Sequence, residues 1–543
     1  MSYPFEYSVV CRPPTPRYRQ PISLRRALHF TFVCVLPSFV CHDLKADRPR
    51  PVVGCVVLDE TGQPAVGARV GFQGCSPRVT TKCNGQFCLP GPARGNGRIV
   101  AWLPGYFIAG ADGRSGRPIT IRLKKHPAED SPDYRWVDPS PDPAAELNCA
   151  NCHAEIYRQW AASSHARSAV NKHFLDMFAG TDWHGQPNVG WNFSRDQPEA
   201  LAVCSACHLP TVTADDPVAE DPTRAAGITR EGIHCDYCHK IADSDLVRHR
   251  EFLGLQHGRD ALRLVRPAGD QQIFFGPLDD VDRGRDTFAP LYRSSYYCAS
   301  CHEGTLFGTK AYETFSEWSA SSYARRGIEC QQCHMKSDGT TRNIAPGQGG
   351  IDRDPTTLAT HHFPGSMDES FLRSSVELTL SGQRDDRTVR ATVTVRPVNV
   401  GHRLPTGSPE RHLLLVVRAT HGRGGELAQK SGPAIPPSGG VGPREAGNLA
   451  GSPGKLYGKL LRGPDGYLPA PFWQAIALES DTRLLPDQAE RTTYDFDLAD
   501  SHDPVRLQAR LIYRRFYKSI VDEKSWPDAD IVLAERMVEV VAP

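Results

Sequence analysis

Five copies of one motif, CxxCH, dominate the chemistry this chain can do: CANCH from Cys149 to His153, CSACH from Cys204 to His208, CDYCH from Cys235 to His239, CASCH from Cys298 to His302 and CQQCH from Cys330 to His334. They take ten of the 17 cysteines and five of the 20 histidines. Independent placement would supply roughly 0.02 copies in such a chain, so the recurrence needs a chemical cause. Two thiols three positions apart lie on one side of a helical turn and can form thioethers to the two vinyl groups of a porphyrin, while the adjacent imidazole reaches the iron. A thioredoxin-like dithiol or a zinc site would account for one isolated CxxC, but neither calls for five coincident histidines. The expectation is five covalently bound haem c groups, attached through Cys149, Cys152, Cys204, Cys207, Cys235, Cys238, Cys298, Cys301, Cys330 and Cys333. His153, His208, His239, His302 and His334 are then the proximal iron ligands.

The elements that carry these motifs must be unusual. Cys149 to His334 is a stretch of 186 residues, about 37 per motif, too few to wrap each cofactor in a core of its own. Porphyrins therefore serve as core filler, and the fold expected here is mostly α with much irregular structure. Helical periodicity appears in AEIYRQWAASSHARSAVNKHFLDMF and YETFSEWSASSYARR. The whole chain of 543 residues is too long for one core, and 39% hydrophobic with 23% charged residues is a composition that folds. Lysine plus arginine (63) nearly cancels aspartate plus glutamate (62), which argues against a nucleic-acid partner.

An internal repeat links the first haem site to the fourth. WAASSHAR (Trp160 to Arg167) and WSASSYAR (Trp318 to Arg325) agree at six of eight positions, each follows a CAxCH site, and GIxCxxCH comes later in both halves, at Gly232 and at Gly327. This pattern reads as a partial duplication. The first copy carries His165 where the second carries Tyr323, which raises the prospect of one haem capped by tyrosine or left five-coordinate.

CANCHAEIYRQWAASSHA, GIHCDYCHK, IFFGPLDD, YYCASCHEGT and SEWSASSYARRGIECQQCHM resemble the bacterial multihaem cytochrome c superfamily, which includes the nitrifiers' tetrahaem electron-transfer cytochrome and, more distantly, hydroxylamine oxidoreductase. THHFPG (Thr360 to Gly365) and NVGHRLPTGSPERH (Asn399 to His412) look like pieces that continue such a haem domain into a C-terminal β domain. The resemblance implies haem-mediated electron transfer and no particular substrate. It also implies that His165, in the W-x-x-S-x-H position, is the second axial ligand of a neighbouring haem. His402 in the GHRLPTG loop is the next candidate, followed by one of His361 and His362, and then by His234, His257 and His173. Methionine is scarce, with only Met177, Met335, Met367 and Met537 after Met1, so bis-histidine ligation and low potentials are expected.

The flanks read as β. From Pro51 to Lys125, short strands alternate with glycine and proline turns, in an order that resembles the carboxypeptidase regulatory-like β-sandwich. Cys55, Cys75, Cys83 and Cys88 within it predict two disulfides, Cys75 with Cys83 being the preferred pairing of three possible schemes. From Ser374 the period is two: Val389, Ala391, Val393 and Val395 against Arg390, Thr392, Thr394 and Arg396, and again Val505 to Tyr513, as in an immunoglobulin-like sandwich. Gly432 to Gly454 reads as a long exposed spacer, and Arg514 and Arg515 as a solvated strand end. The apolar run Ala27 to Cys41 behind Arg25 and Arg26 has the layout of an export signal, or of an uncleaved anchor, and is short for a bilayer span.

The expectation is thus a multidomain chain: a leader (1–46), a small β-sandwich (51–125), a linker (126–143), a pentahaem cytochrome domain (144–370) and a C-terminal β-sandwich (371–543). The location expected is periplasmic or at the cell surface. An electron carrier between redox partner proteins, or from a quinol-linked membrane complex, is favoured over two alternatives. One is an oxidoreductase acting on a small nitrogen or sulfur compound at a five-coordinate haem; the other is a subunit of an extracellular cytochrome assembly. Intact-mass measurement of the mature protein should show five haem additions, and a colourless protein of unshifted mass would overturn this reading.

Overall fold

The computed structural model describes residues 51–541 apart from 92–96, 114–116, 214, 422–423 and 499–502. The expected leader lies outside the described residues. Among those described, no helix is long and apolar enough to cross a membrane. The described residues form two compact units: one contains 51–135 with Leu264–Tyr292 and Ile351–Asp354, the other Trp136–Arg263, Arg293–Gly350 and 355–541.

In the first unit, seven strands form two sheets: β1 (Val52–Leu58), β2 (Arg69–Phe72), β3 (Arg78–Thr80), β4 (Gln86–Leu89), β5 (Arg98–Trp102), β6 (Ala109–Asp112) and β7 (Ile119–Leu123). The sheet orders are β4-β1-β7 and β3-β2-β5-β6. Val56, Phe87, Ile121 and Leu123 from one meet Val70, Phe72, Ile99 and Ala101 from the other in a shared core. Gly54 is required by the close pairing of β1 with β7, since a Cβ there would lie 2.5 Å from the Ile119 carbonyl.

The disulfide expectation is corrected. Cys83 is disulfide-bonded, but the structure joins none of Cys55, Cys75 and Cys88 to it. Register explains why Cys55 and Cys88 do not meet: Cys55 stands opposite Gln86 and Cys88 opposite Val53, a diagonal of about 7–8 Å that exceeds disulfide reach.

A segment from the middle of the sequence completes this unit. Residues 264–292 lie inside the region expected to be the haem domain, yet they pack on the β module through the parallel pair β8 (Phe274–Gly276) and β9 (Asp286–Phe288). Trp102 meets Phe288 edge-on at 5.0 Å and donates to Thr287 Oγ1 at 3.1 Å. IFFGPLDD and the residues just after it supply carboxylates to a ring of arginines: Asp279 to Arg69 and Arg78, Asp280 to Arg353, and Asp282 to Arg98.

The second unit joins the haem-motif region to the C-terminal strands, so the two domains expected at 144–370 and 371–543 share one compact body. The strands are β10 (Val376–Arg384), β11 (Thr388–Pro397), β12 (His412–His421), β13 (Gln429–Ser431), β14 (Gly454–Arg462), β15 (Ala477–Asp481), β16 (Glu490–Asp497), β17 (Val505–Arg514) and β18 (Ile531–Val540). They form antiparallel sheets of order β10-β11-β16-β13 and β15-β14-β12-β17-β18. Val389, Ala391, Val393 and Val395 are buried against Leu413, Leu415, Val417, Leu507, Ala509 and Leu511, which is the alternation written in the sequence.

Two expectations for this region fail for one reason. Strand β12 is buried on both faces, so Leu414 and Val416 need cover. The 432–454 segment supplies it, laying Ile435 and Leu449 on Leu414, Val416, Leu456 and Ile512. Arg514 is no solvated strand end: it is 6% exposed, grips Asp530 through two nitrogens at 2.7 Å, and donates to the Gly439 and Gly447 carbonyls at 2.9 and 3.0 Å. Arg515 binds Asp528 at 3.0 Å. Replacing Arg514 by Ala should cost about 2 kcal/mol in thermal unfolding and open the 437–447 loop to limited proteolysis.

Candidate haem-binding site

Each motif occupies about one helical turn: Cys149–Cys152, Ser205–His208, Cys235–His239, Tyr296–His302 and Gln331–His334. A backbone bond from the histidine N–H to the first cysteine carbonyl closes the turn at His153, His208 and His334, at 2.9 to 3.0 Å. That closure puts both thiols and the imidazole on one side.

Turns this short do not hold a side chain still, so the imidazoles are fixed by their own hydrogen bonds. His153 Nδ1 meets the Ile344 carbonyl at 2.9 Å, His208 Nδ1 the Ser168 carbonyl at 3.0 Å and His334 Nδ1 the Pro364 carbonyl at 2.8 Å. A carbonyl only accepts, so Nδ1 carries the proton and the Nε2 lone pair is available to a metal. His402 is arranged alike, with Nδ1 on the Arg403 carbonyl at 2.9 Å.

The distances between rings test whether a haem iron fits. The His334 and His402 ring centroids are 6.4 Å apart and near parallel at 17°, and those of His165 and His302 are also 6.4 Å apart. With metal–imidazole bonds of about 2 Å, two rings sharing one axial iron have centroids about 6.3 Å apart. Burial pushes His302 down to about 3, and His165 and His402 to about 4, so all are neutral imidazoles, the ligating form. His302 is nonetheless exposed by surface area. An imidazole deep among protein atoms yet bare on its ring lines a slot, which is what a porphyrin requires.

The THHFPG loop is a junction for these sites. His361 is pushed down to about 3, chiefly by burial, with His239 and His153 near it, while His362 faces solvent. Phe363 takes a left-handed φ of +46°, a strain of about 1 kcal/mol, and sets its ring 4.4 Å from His165 and 5.8 Å from His361. Pro364 supplies the carbonyl that orients His334.

Other candidates fall elsewhere. His173 Nε2 is held by Asp528 at 2.5 Å and its ring stacks on Phe516 at 5.0 Å, so it fixes the fold and is not available to an iron. His234 Nδ1 accepts from the Tyr237 N–H at 3.3 Å, which places the proton on Nε2, the wrong tautomer for ligation through that atom. His257 has a buried Nδ1 without a hydrogen-bond partner, and the next residue, Gly258, lies against Ala206 of the second motif. Sequence reasoning passed over His412. It is fully buried, with Nδ1 on the Glu410 carbonyl at 2.9 Å and Nε2 lacking a partner. Its signal was a histidine opening the most apolar strand of the chain.

The partial duplication is present in three dimensions. Trp160 Nε1 donates to the Ile233 carbonyl and Trp318 Nε1 to the Ile328 carbonyl, both at 2.8 Å. The Ile233 N–H returns to the His165 carbonyl and the Ile328 N–H to the Tyr323 carbonyl. Arg167 caps Ala162 as Arg325 caps Ala320. The side chains at the divergent position differ: His165 faces His302, whereas Tyr323 packs at Gly401 with the Arg326 guanidinium 4.5 Å over its ring.

Comparison with known proteins agrees with this chemistry. The family model for cytochrome c554 and c-prime matches residues 148–240. The penta-heme cytochrome c552 from Thermochromatium tepidum shares the fold at a TM-score of 0.50 and 22% identity, over 72% of this chain and 97% of that one. Two structures of beta-glucosidase 3B from Thermotoga neapolitana, with glycerol and with glucose, align over 31% of the chain at 11% and 12% identity, covering 16% and 17% of theirs. Their TM-scores of 0.12 and 0.10 carry no argument. No curated protein sequence matches the chain. Motifs, family model and shared fold together support a multihaem c-type cytochrome with covalently bound haem c. Replacing Trp160 or Trp318 by Phe should cost each repeat about 1 kcal/mol, equal in the two halves, as read by urea unfolding.

Proposed function

We propose that the chain is an exported pentahaem c-type cytochrome that carries electrons between redox partners in a respiratory chain. The observation that carries this reading is contact between thiols of different motifs: Cys149 with Cys235, Cys207 with Cys301, and Cys298 with Cys330. Thioether-bonded porphyrins at these positions would meet at their edges, in a 2–4–5 series and a 1–3 pair. Phe363 lies between His165 of the first group and His361 of the second. Electrons then pass between neighbouring haems without leaving the protein.

In this reading His302 with His165, His334 with His402, and His239 with His361 are axial pairs, and potentials are low because no axial methionine raises them. The seven-stranded module is a carboxypeptidase regulatory-like spacer or docking surface, and the C-terminal sheets an immunoglobulin-like sandwich that carries ligand loops. The donor is a redox protein or a quinol-linked membrane complex.

A second reading has one specific support. The half-buried Tyr312 lies near Cys204 and Cys207 of the second motif and near the buried Glu410, with His412 two residues on. A polar, proton-bearing group of that kind suits reduction or oxidation of a small nitrogen or sulfur compound at an open iron. Electron paramagnetic resonance of the oxidised protein separates the readings. Five low-spin haems with no high-spin iron are expected of the carrier, and one persistent high-spin haem would favour the enzyme. His165→Ala and His402→Ala should each convert one haem to high spin.

A further inference from the structure

The duplicated unit contains a second correspondence, one residue before each tryptophan: Gln159 aligns with Glu317. Gln159 is buried, and its Oε1 accepts the backbone N–H of His361 at 2.8 Å. Glu317, with a side chain 6% exposed, accepts through Oε2 from the backbone N–H of Arg403, the residue after His402, at 3.2 Å. The same oxygen takes the Thr406 hydroxyl at 2.7 Å. Two loops unrelated in sequence, THHFPG and GHRLPTG, are thus gripped at or next to a histidine by equivalent side chains.

Each tryptophan holds the other end of the same site. The Trp160 indole binds Ile233, two residues before Cys235, and the Trp318 indole binds Ile328, two residues before Cys330. From these placements we infer that Gln159 and Glu317 are positioning residues for the second axial ligands His361 and His402, each Gln/Glu–Trp dipeptide bracing both axial sides of one haem, the third and the fifth. The inference rests on the axial pairing proposed above.

The two grips differ in charge, and their surroundings match. Gln159 is neutral and turns its Nε2 to Glu155 at 3.0 Å. Glu317 brings a buried carboxylate, so Oε1 is met by Arg483 Nη1 at 2.5 Å, and Arg483 is itself held by Asp481 at 2.8 Å. Buried charge must be paired in this way, and the pair ties the helix of the second repeat to the turn after strand β15.

The test uses the full-length holoprotein and reads low-spin resonance signals together with carbon monoxide binding after reduction. Glu317→Ala and Gln159→Ala should each raise carbon-monoxide-reactive haem about tenfold and remove one low-spin signal, while Glu317→Gln, which keeps an acceptor, should match the wild type. Residues that only stabilise the fold would lower the unfolding temperature and leave ligation unchanged. His361→Ala and His402→Ala are the controls. If these open a haem to carbon monoxide and the positioning variants do not, the inference fails and the axial pairing stands. If the histidine variants themselves change nothing, the pairing fails and takes the inference with it. Should Glu317→Ala not fold, Gln159→Ala, which strands no buried charge, decides.

Discussion

An imidazole ligates iron well only if its tautomer and its direction are settled beforehand, and the architecture of the second unit follows from meeting that condition repeatedly. Backbone carbonyls hold the Nδ1 protons of His153, His208, His334 and His402, so each ring presents a lone pair at Nε2. Those carbonyls come from Ile344, Ser168, Pro364 and Arg403, irregular segments whose only regular feature is where they lie. The loops are long because their function is to deliver a carbonyl or a histidine to a particular place, and little of their length is available to bury apolar surface.

This arrangement accounts for the fusion of the motif region with the C-terminal sheets. The motif region shares a core with the C-terminal part, Phe174, Phe178, Trp191 and Phe193 clustering with Leu460, Trp473, Tyr517 and Trp526, and the sheets have a continuous core of their own running from Leu378 through Val393 to Leu511. The sheets therefore act as the rigid frame. The GHRLPTG loop leaves β11, places His402 opposite His334, and enters β12; the Glu317–Arg483–Asp481 chain fastens it to the motif region. Lys524 does the same at another point, donating to the Asp176, Thr181 and Val189 carbonyls from full burial. Ion pairs are suited to such joints because an unpaired partner would be costly, which selects one docking geometry over its neighbours.

The repeat presents two similar half-sites with different outlets. The indole-to-isoleucine bonds and the arginine caps persist in both copies, since they close the local turn whatever lies beyond it. Residue 165 is a histidine that faces His302, and residue 323 is a tyrosine that packs against Gly401, next to His402. The change of residue is a change of role within one frame.

Much of this was written locally. Covalent attachment needs residues three and four positions apart on one turn, a spacing that singles out ten cysteines and five histidines in the sequence alone. Alternation over Val389 to Val395 marks a strand with one buried face, whereas the burial of HLLLVV on both faces, under the 432–454 segment expected to be a loose spacer, emerges only in the folded chain. The remaining decisions were made by tertiary structure. His361 rather than His362 turns inward, His173 is taken by an aspartate 355 residues away, and IFFGPLDD packs on the first sheets. Pairings of that kind depend on which segments meet across long loops, and the closure of a long loop leaves no periodic trace in the residues that eventually touch.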